Sequence, residues 1–316
     1  MKIVAFLKHK HIEEFSLASE NASRLEKAFP GTSVRLCEDE STFLRELPDA
    51  EIALVWRFKQ EWFDVAKNLR IVSTPAAGRD YFKVIPPENV EIMYGSFHGK
   101  IMGETAVAMI LGAARGIVRN ASSMTSGGEA WPREIFSRQI RTIKNSHIVI
   151  LGFGAIGQHA GRLLKGFGAK ITGVRRNPPE CNPEWFGEGD RVVGVDKLDS
   201  VLPEAEHLLC ILPSGEDTYK MLDRRRLSLL PHGAYLHNIG RGSVVDEEAL
   251  AEALESGTLG GAFLDVFEEE PLPAESALRR ARNAFLYPHV SAVAPEYLKL
   301  YIDELIDRLK SRSPAV

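Results

Sequence analysis

The chain has 316 residues, enough for two domains with separate cores. Hydrophobic residues make up 44% and charged residues 26%, with a formal net charge of −4, the composition of an ordinary globular protein. Basic and acidic residues nearly balance and no long basic block occurs, so nothing points to a nucleic-acid partner.

The first apolar run, residues 3–7, ends at Lys8, His9 and Lys10. It is too short for a signal-peptide core and reads as a first β-strand. Strands are expected at 2–7, 33–36, 52–56, 70–73 and 90–93, separated by amphipathic stretches. One of these, 13–29, predicts a helix stopped by Pro30 and Gly31. Residues 101–118 are apolar nearly all round and predict a helix buried on most sides, between domains or against another subunit. Arg115 interrupts the most apolar part, which falls short of a membrane span, so no membrane partner is expected. Residues 122–131 look the most flexible. A second strand series is expected at 147–151, 169–174, 207–212, 234–238, 262–266 and 284–287. The last stretch, 294–309, is helical in pattern and comes too late for the second sheet, so it is expected to fold back on the first domain. Alternation of this kind predicts an α/β fold with two doubly wound parallel-sheet domains. Cys37, Cys181 and Cys210 have neither metal-ligand nor redox spacing. They read as buried or incidental thiols of a reducing compartment, with no metal site and a cytoplasmic location expected.

A Gly-Phe-Gly-Ala-Ile-Gly run at 152–157 follows an apolar strand and opens a helix over 155–167. Gly152 permits a tight turn, Gly154 lets the backbone approach a pyrophosphate, and Gly157 allows the helix to pack on the strand. The helix start at Ala155 and Ile156 faces the negative charge. The next strand ends in Arg175 and Arg176, where NAD sites usually carry an acidic residue. An arginine fork cannot accept from a ribose hydroxyl but matches a 2′-phosphate, so NADP is expected to be preferred over NAD.

Residues 238–246, Asn-Ile-Gly-Arg-Gly-Ser-Val-Val-Asp, follow a strand and lead into a helix over 247–256. In a parallel sheet this sets Arg241 at a strand's carboxyl end, where ligands bind. Asp265 and His289 close two further strands at the same edge. An arginine, a glutamate within 265–271 and a histidine are the minimum set for gripping a carboxylate and moving a proton, and beside a dinucleotide site they read as a hydride-transfer enzyme.

The chain resembles the D-isomer-specific 2-hydroxyacid dehydrogenase family, which includes glyoxylate/hydroxypyruvate reductases. The resemblance rests on the glycine run, Leu212 and Pro213, 238–246, 264–271, and Pro288 with His289. It implies a Rossmann nucleotide-binding domain, 99–291, inserted into a flavodoxin-like substrate domain, 1–98 plus 292–316. It also implies a catalytic set in which Arg241 holds the carboxylate of a 2-keto acid, His289 as imidazolium protonates its carbonyl oxygen as hydride arrives, and Glu270 orients His289 and raises its pKa, with Asp265 on the nicotinamide amide. Leu212, Pro213, Thr218, Ile239, Gly240, Arg241 and His289 are expected to flank the cofactor. Substrate contacts are expected from Arg241, His289 and the backbone of Ala77 and Gly78, with Trp56 and Arg57 as further candidates. Arg79 stands where the family more often has an apolar residue. His98 and Glu104 are expected to serve packing or hinge roles. The implied activity is reduction of a small 2-keto acid by NADPH or NADH, in a homodimer joined through the nucleotide domains. Two alternatives share the fold. Formate dehydrogenases carry glutamine where Glu270 stands, and dinucleotide-sensing corepressors carry extended tails that are not expected here.

Overall fold

A computed structural model of the protein describes residues 1–79, 83–125 and 133–312. The chain divides into two compact units, Met1–His98 with Val293–Val316, and Gly99–Ala292. In the first, β1 (Lys2–Phe6), α1 (Ser19–Ala28), β2 (Ser33–Leu36), α2 (Glu40–Glu46), β3 (Ile52–Val55), β4 (Ile71–Thr74) and β5 (Glu91–Tyr94) follow in order. The five strands are parallel in the order β2-β1-β3-β4-β5, the flavodoxin-like winding. Buried on both faces, β3 reads as a continuous apolar run rather than an alternating one, whereas β4 is equally buried but ends in the polar pair Ser73 and Thr74.

The second unit opens with α3 (Gly99–Ala114), α4 (Ile117–Thr125) and α5 (Arg133–Ser137). It continues through β6 (His147–Leu151), α6 (Ala155–Gly166), β7 (Lys170–Arg175), β8 (Arg191–Gly194), α7 (Leu198–Val201), β9 (His207–Cys210) and α8 (Arg224–Leu227). It closes with β10 (Tyr235–Asn238), α9 (Glu247–Glu255), β11 (Gly261–Leu264) and β12 (Ala284–Leu286). Seven parallel strands run β12-β11-β10-β9-β6-β7-β8, the Rossmann order with the reversal at β6 and β9. Side-chain alternation splits its core in two. Val149, Leu151, Leu208 and Leu264 pack on one face, while Ile148, Ile150, Leu209 and Phe263 pack on the other. Truncating one fully buried leucine or isoleucine here to alanine is worth about 2–5 kcal/mol. The final helix, α10 (Tyr297–Lys310), packs in the first unit, where Tyr301 donates to Ser73 at 2.8 Å and Asp303 pairs with Arg24.

Three expectations need correction. The helix expected over 13–29 is one 3-10 turn at Glu13–Phe15 and then α1 from Ser19. Between them the chain is extended, because Leu17 N–H bonds Leu7 and the Phe15 carbonyl accepts from Trp56. The helix expected over 101–118 breaks at Gly116, whose φ of +63° ends α3 and lets α4 start in a new direction. Consequently residues 122–125, expected in a loop, are helical, and the rest of that loop, 126–131, lies outside the described residues. The edge strand β8 has no counterpart among the expected strands. It is four residues long and half-buried throughout, so it carries no alternating signal. Among the described residues no helix is long and apolar enough to cross a membrane.

Candidate active site

Because every strand of the larger sheet runs parallel, the loops after β6, β7, β9, β10, β11 and β12 share one edge. After β6, Gly152 has φ +103°, and a Cβ there would lie 2.5 Å from the Ile211 carbonyl oxygen. A Cβ at Gly157 would lie 2.6 Å from Gly152 oxygen, so α6 can seat only on a glycine. Phe153 turns inward and is buried over Gly173, whose missing side chain makes room for the ring. Gly154 differs from its neighbours. A Cβ on it would meet nothing within 4 Å, and as N-cap of α6 it offers no side-chain cap. The first turn, with Ala155 and Ile156, thus opens uncapped next to free space, which suits a pyrophosphate.

Arg175 ends β7 half-buried, and Arg176 is exposed with its guanidinium on Asp217 at 2.8 Å. Leu212 and Pro213 follow β9. Thr218 spends its hydroxyl on the Pro213 carbonyl at 2.8 Å and the Gly215 carbonyl at 3.1 Å, so it shapes the turn from within. Ile239 is buried, and a Cβ at Gly240 would lie 2.6 Å from the Leu212 oxygen. The loops after β9 and β10 are therefore pressed together.

The loop after β10 is tied down by Asn238, which accepts from Gly240 N–H and donates to the Arg241 carbonyl, each at 3.0 Å. Arg241 is extended and half-buried, and its Nη1 donates to the Gly240 carbonyl at 2.9 Å. Gly242 then runs against the loop after β11, since a Cβ on it would fall 1.8 Å from the Phe267 carbonyl carbon. Within that loop Phe267 N–H donates to Glu270 Oε1 at 3.0 Å, leaving Oε2 for His289 Nδ1 at 2.7 Å.

His289 itself has φ +54°, a left-handed conformation unusual for a residue with a side chain. Asp265 holds it there. Its carbonyl accepts from His289 N–H at 2.9 Å, and its fully buried carboxylate accepts from the N–H groups of Val290 and Ser291, both at 2.8 Å. Thus Asp265 clamps the turn that carries His289, a task the resemblance did not imply.

Electrostatics match the geometry. The hydrogen bond to Glu270 raises the His289 pKa above its ordinary value, against the pull of burial. Burial pushes the Glu270 carboxyl up, but bonds from His289 and Phe267 N–H and the charge of Arg241 outweigh it and hold the group ionised. Beside the pair opens a cavity of about 490 Å³, walled by Phe267, Leu272, Leu286 and Tyr287.

The remaining expected residues lie in the first unit. Ala77 is exposed and Gly78 half-buried in the loop after β4. That loop is fixed by Ala76 N–H on Thr74 Oγ1 at 3.2 Å and by Gly95 N–H on the Ala76 carbonyl at 3.1 Å. Trp56 is half-buried among Phe15 and Tyr297, with Arg57 exposed beside it. His98 is buried, 2.9 Å from the Tyr297 hydroxyl, whereas Glu104 is exposed on α3. Sequence reasoning missed the roles of Asn238 and Gly242. The Asn-x-Gly spacing of an Asx turn could have flagged Asn238, but nothing local could have flagged Gly242.

The family model for the D-isomer specific 2-hydroxyacid dehydrogenase NAD binding domain matches residues 107–291. A glyoxylate/hydroxypyruvate reductase B of Yersinia pestis (strain Pestoides F) is 34% identical over 266 residues, 82% of this chain and 79% of the relative. Among solved structures, a D-isomer specific 2-hydroxyacid dehydrogenase from Xanthobacter autotrophicus Py2, in complex with NADPH and MES, superposes with TM-score 0.79. It is 28% identical, covering 100% of this chain and 96% of that one. An NADPH-dependent glyoxylate/hydroxypyruvate reductase from Sinorhizobium meliloti, in complex with NADP and sulfate, gives TM-score 0.78 at 26% identity, over 99% and 96% of the chains. The chain belongs to the D-isomer-specific 2-hydroxyacid dehydrogenases. Within them it is related to the glyoxylate/hydroxypyruvate reductases, and it is an NAD(P)-dependent oxidoreductase of 2-keto and 2-hydroxy acids.

Proposed function

We propose that the protein reduces a small 2-keto acid, of the glyoxylate or hydroxypyruvate kind, to the D-2-hydroxy acid with NADPH preferred over NADH. The observation that carries this reading is the 2.7 Å bond between His289 Nδ1 and Glu270, with Arg241 close enough to shift the titration of both. Bound cofactor supplies the hydride. The glycine loop at Gly152, Gly154 and Gly157, with Ala155 and Ile156, holds its pyrophosphate. Arg175 and Arg176 hold the 2′-phosphate, and Leu212, Pro213, Thr218, Ile239, Gly240 and Asp265 shape the rest of its bed.

Arg241 grips the substrate carboxylate and polarises the adjacent carbonyl. His289, kept protonated by Glu270, gives its Nε2 proton to the carbonyl oxygen as negative charge develops there. Ala77 and Gly78 offer backbone N–H groups to the carboxylate. Keto reduction needs that proton donor, whereas formate oxidation passes no proton to a histidine, and the Glu–His pair supports the former. The substrate reading also draws on the names of the relatives at 34% and 26% identity. In the same reading the Gly99–Ala292 unit binds nucleotide and joins two copies into a cytoplasmic homodimer, and the other unit binds substrate.

The test is cofactor oxidation followed at 340 nm with NADPH and NADH in parallel, against glyoxylate, hydroxypyruvate, pyruvate and phenylpyruvate. Turnover of the two small acids with NADPH favoured is expected. Turnover of none of the four would overturn the substrate reading.

A further inference from the structure

A second cavity, of about 500 Å³, lies wholly within the first unit, at the open edge of its sheet. Its walls are β5, the residues just after it, the last turn of α10 and the loop carrying Ala77 and Arg79. Three arginines line it, Arg79, Arg308 and Arg312, against one carboxylate, Glu91.

The three are not equivalent. Arg308 is a fixed part of the wall: Nη1 donates to the Tyr94 carbonyl at 2.7 Å, Nη2 donates to Ser96 Oγ at 2.9 Å, and Glu304 pairs with it from behind. Glu304 in turn accepts from Ser96 N–H at 2.9 Å, so wall and helix are locked together. Arg312 is paired with Glu91 across the cavity mouth. Arg79 is exposed, and among the described residues it has neither a hydrogen-bond nor an ion-pair partner. Arg308 and Arg312 are each matched by a carboxylate, so the excess positive charge of the cavity is the single guanidinium of Arg79, whose five donors are uncommitted. A planar fork of this kind pairs bidentately with a carboxylate or phosphate.

We propose that this cavity binds an oxyanion group, carboxylate or phosphate, with Arg79 as the residue that meets it and the ion-paired Arg308 and Arg312 as the fixed wall behind it. Arg79 follows Gly78 directly, in the loop to which the proposed function assigns the substrate's own carboxylate. The oxyanion is thus either a second acidic group on the substrate or a separate small anion, and the chemistry of recognition is the same.

Calorimetric titration of the full chain with inorganic phosphate tests the site. Saturable binding is expected in the wild type, weakened by about tenfold or more in Arg79→Gln and lost in Arg79→Glu. Since Arg79 holds nothing else in place, circular dichroism and thermal unfolding of both variants should match the wild type. Equal affinity in all three proteins, or no binding to the wild type, would overturn the proposal. The source is read by comparing kcat/KM for oxaloacetate and for pyruvate in the wild type and Arg79→Gln. A loss confined to the dicarboxylate assigns the site to the substrate. Lost phosphate binding with both keto acids turned over as before assigns it to a separate anion. This second arm rests on the reductase reading and the calorimetric arm does not, so failure of one is distinguishable from failure of the other.

Discussion

At His289 the backbone sits at φ +54°, a conformation costing on the order of 1 kcal/mol or more for a residue with a Cβ. It is held by Asp265, through its carbonyl on His289 N–H and its carboxylate on the two N–H groups that follow. The strain orients Nδ1 toward Glu270 and leaves Nε2 for chemistry. His289→Ala should lower turnover by roughly 10²–10⁴-fold while leaving NADPH affinity, measured by fluorescence titration, near wild type. Arg175→Asp should move the ratio of kcat/KM for NADPH over NADH toward NADH; an unchanged ratio would remove Arg175 from cofactor selection. The glycine turn and the closeness of Arg241, Glu270 and His289 are legible in the sequence because each lies in a stretch that resembles the family's. The clamp by Asp265 is not, since its partners Val290 and Ser291 lie 25 and 26 residues further along the chain. Only the meeting of two strand ends creates it.

Between elements, the site depends on close approach of the loops after β10 and β11. Gly242 is the contact point, and a Cβ there would fall 1.8 Å from the Phe267 carbonyl carbon, a backbone atom that cannot swing aside. Gly242→Ala should therefore push Arg241 away from Glu270. It should cost about 1–3 kcal/mol in thermal unfolding and lower kcat/KM as well. Wild-type values of both would show that the two loops are not mutually braced. Element boundaries were less legible than element order. The start of α1 is set by the Trp56 bond to the Phe15 carbonyl, made across 41 residues of chain. Strand β8 is an edge with both faces half-buried, so its residues show no period of two. Gly116 could have marked the break after α3, but the apolar run on both sides hides it.

Across the larger sheet the rings of His207, Tyr235, His237, Phe263 and Phe285 form a continuous row on one face. His207 Nδ1 and His237 Nε2 are 3.1 Å apart, so one carries the proton between them and both rings are neutral. Burial lowers the His207 pKa from 6.5 to about 4 and puts His237 well below its ordinary value. The unfolded chain takes up these protons near pH 6.5 while the folded chain refuses them, so stability falls as pH drops from 6.5 toward 4. For His207 alone the loss reaches on the order of 3 kcal/mol. Urea midpoints taken between pH 7.5 and 4.5 should fall steeply for the wild type and less steeply for His237→Leu; equal slopes would contradict this. The alternation of strands and helices made the two-sheet architecture legible from the sequence, because each βαβ repeat declares its own period. This buried histidine row was not legible, as nothing in single strands shows which rings will stack. If a Glu270-supported His289 supplies the proton for keto reduction, the pH profile of kcat/KM carries its titration. Because Glu270 raises the His289 pKa, reduction should run level at low pH and fall only as pH rises through that raised value. In Glu270→Gln the falling limb should move to lower pH. A limb at the same pH in both proteins would remove the Glu270–His289 pair from the proton transfer.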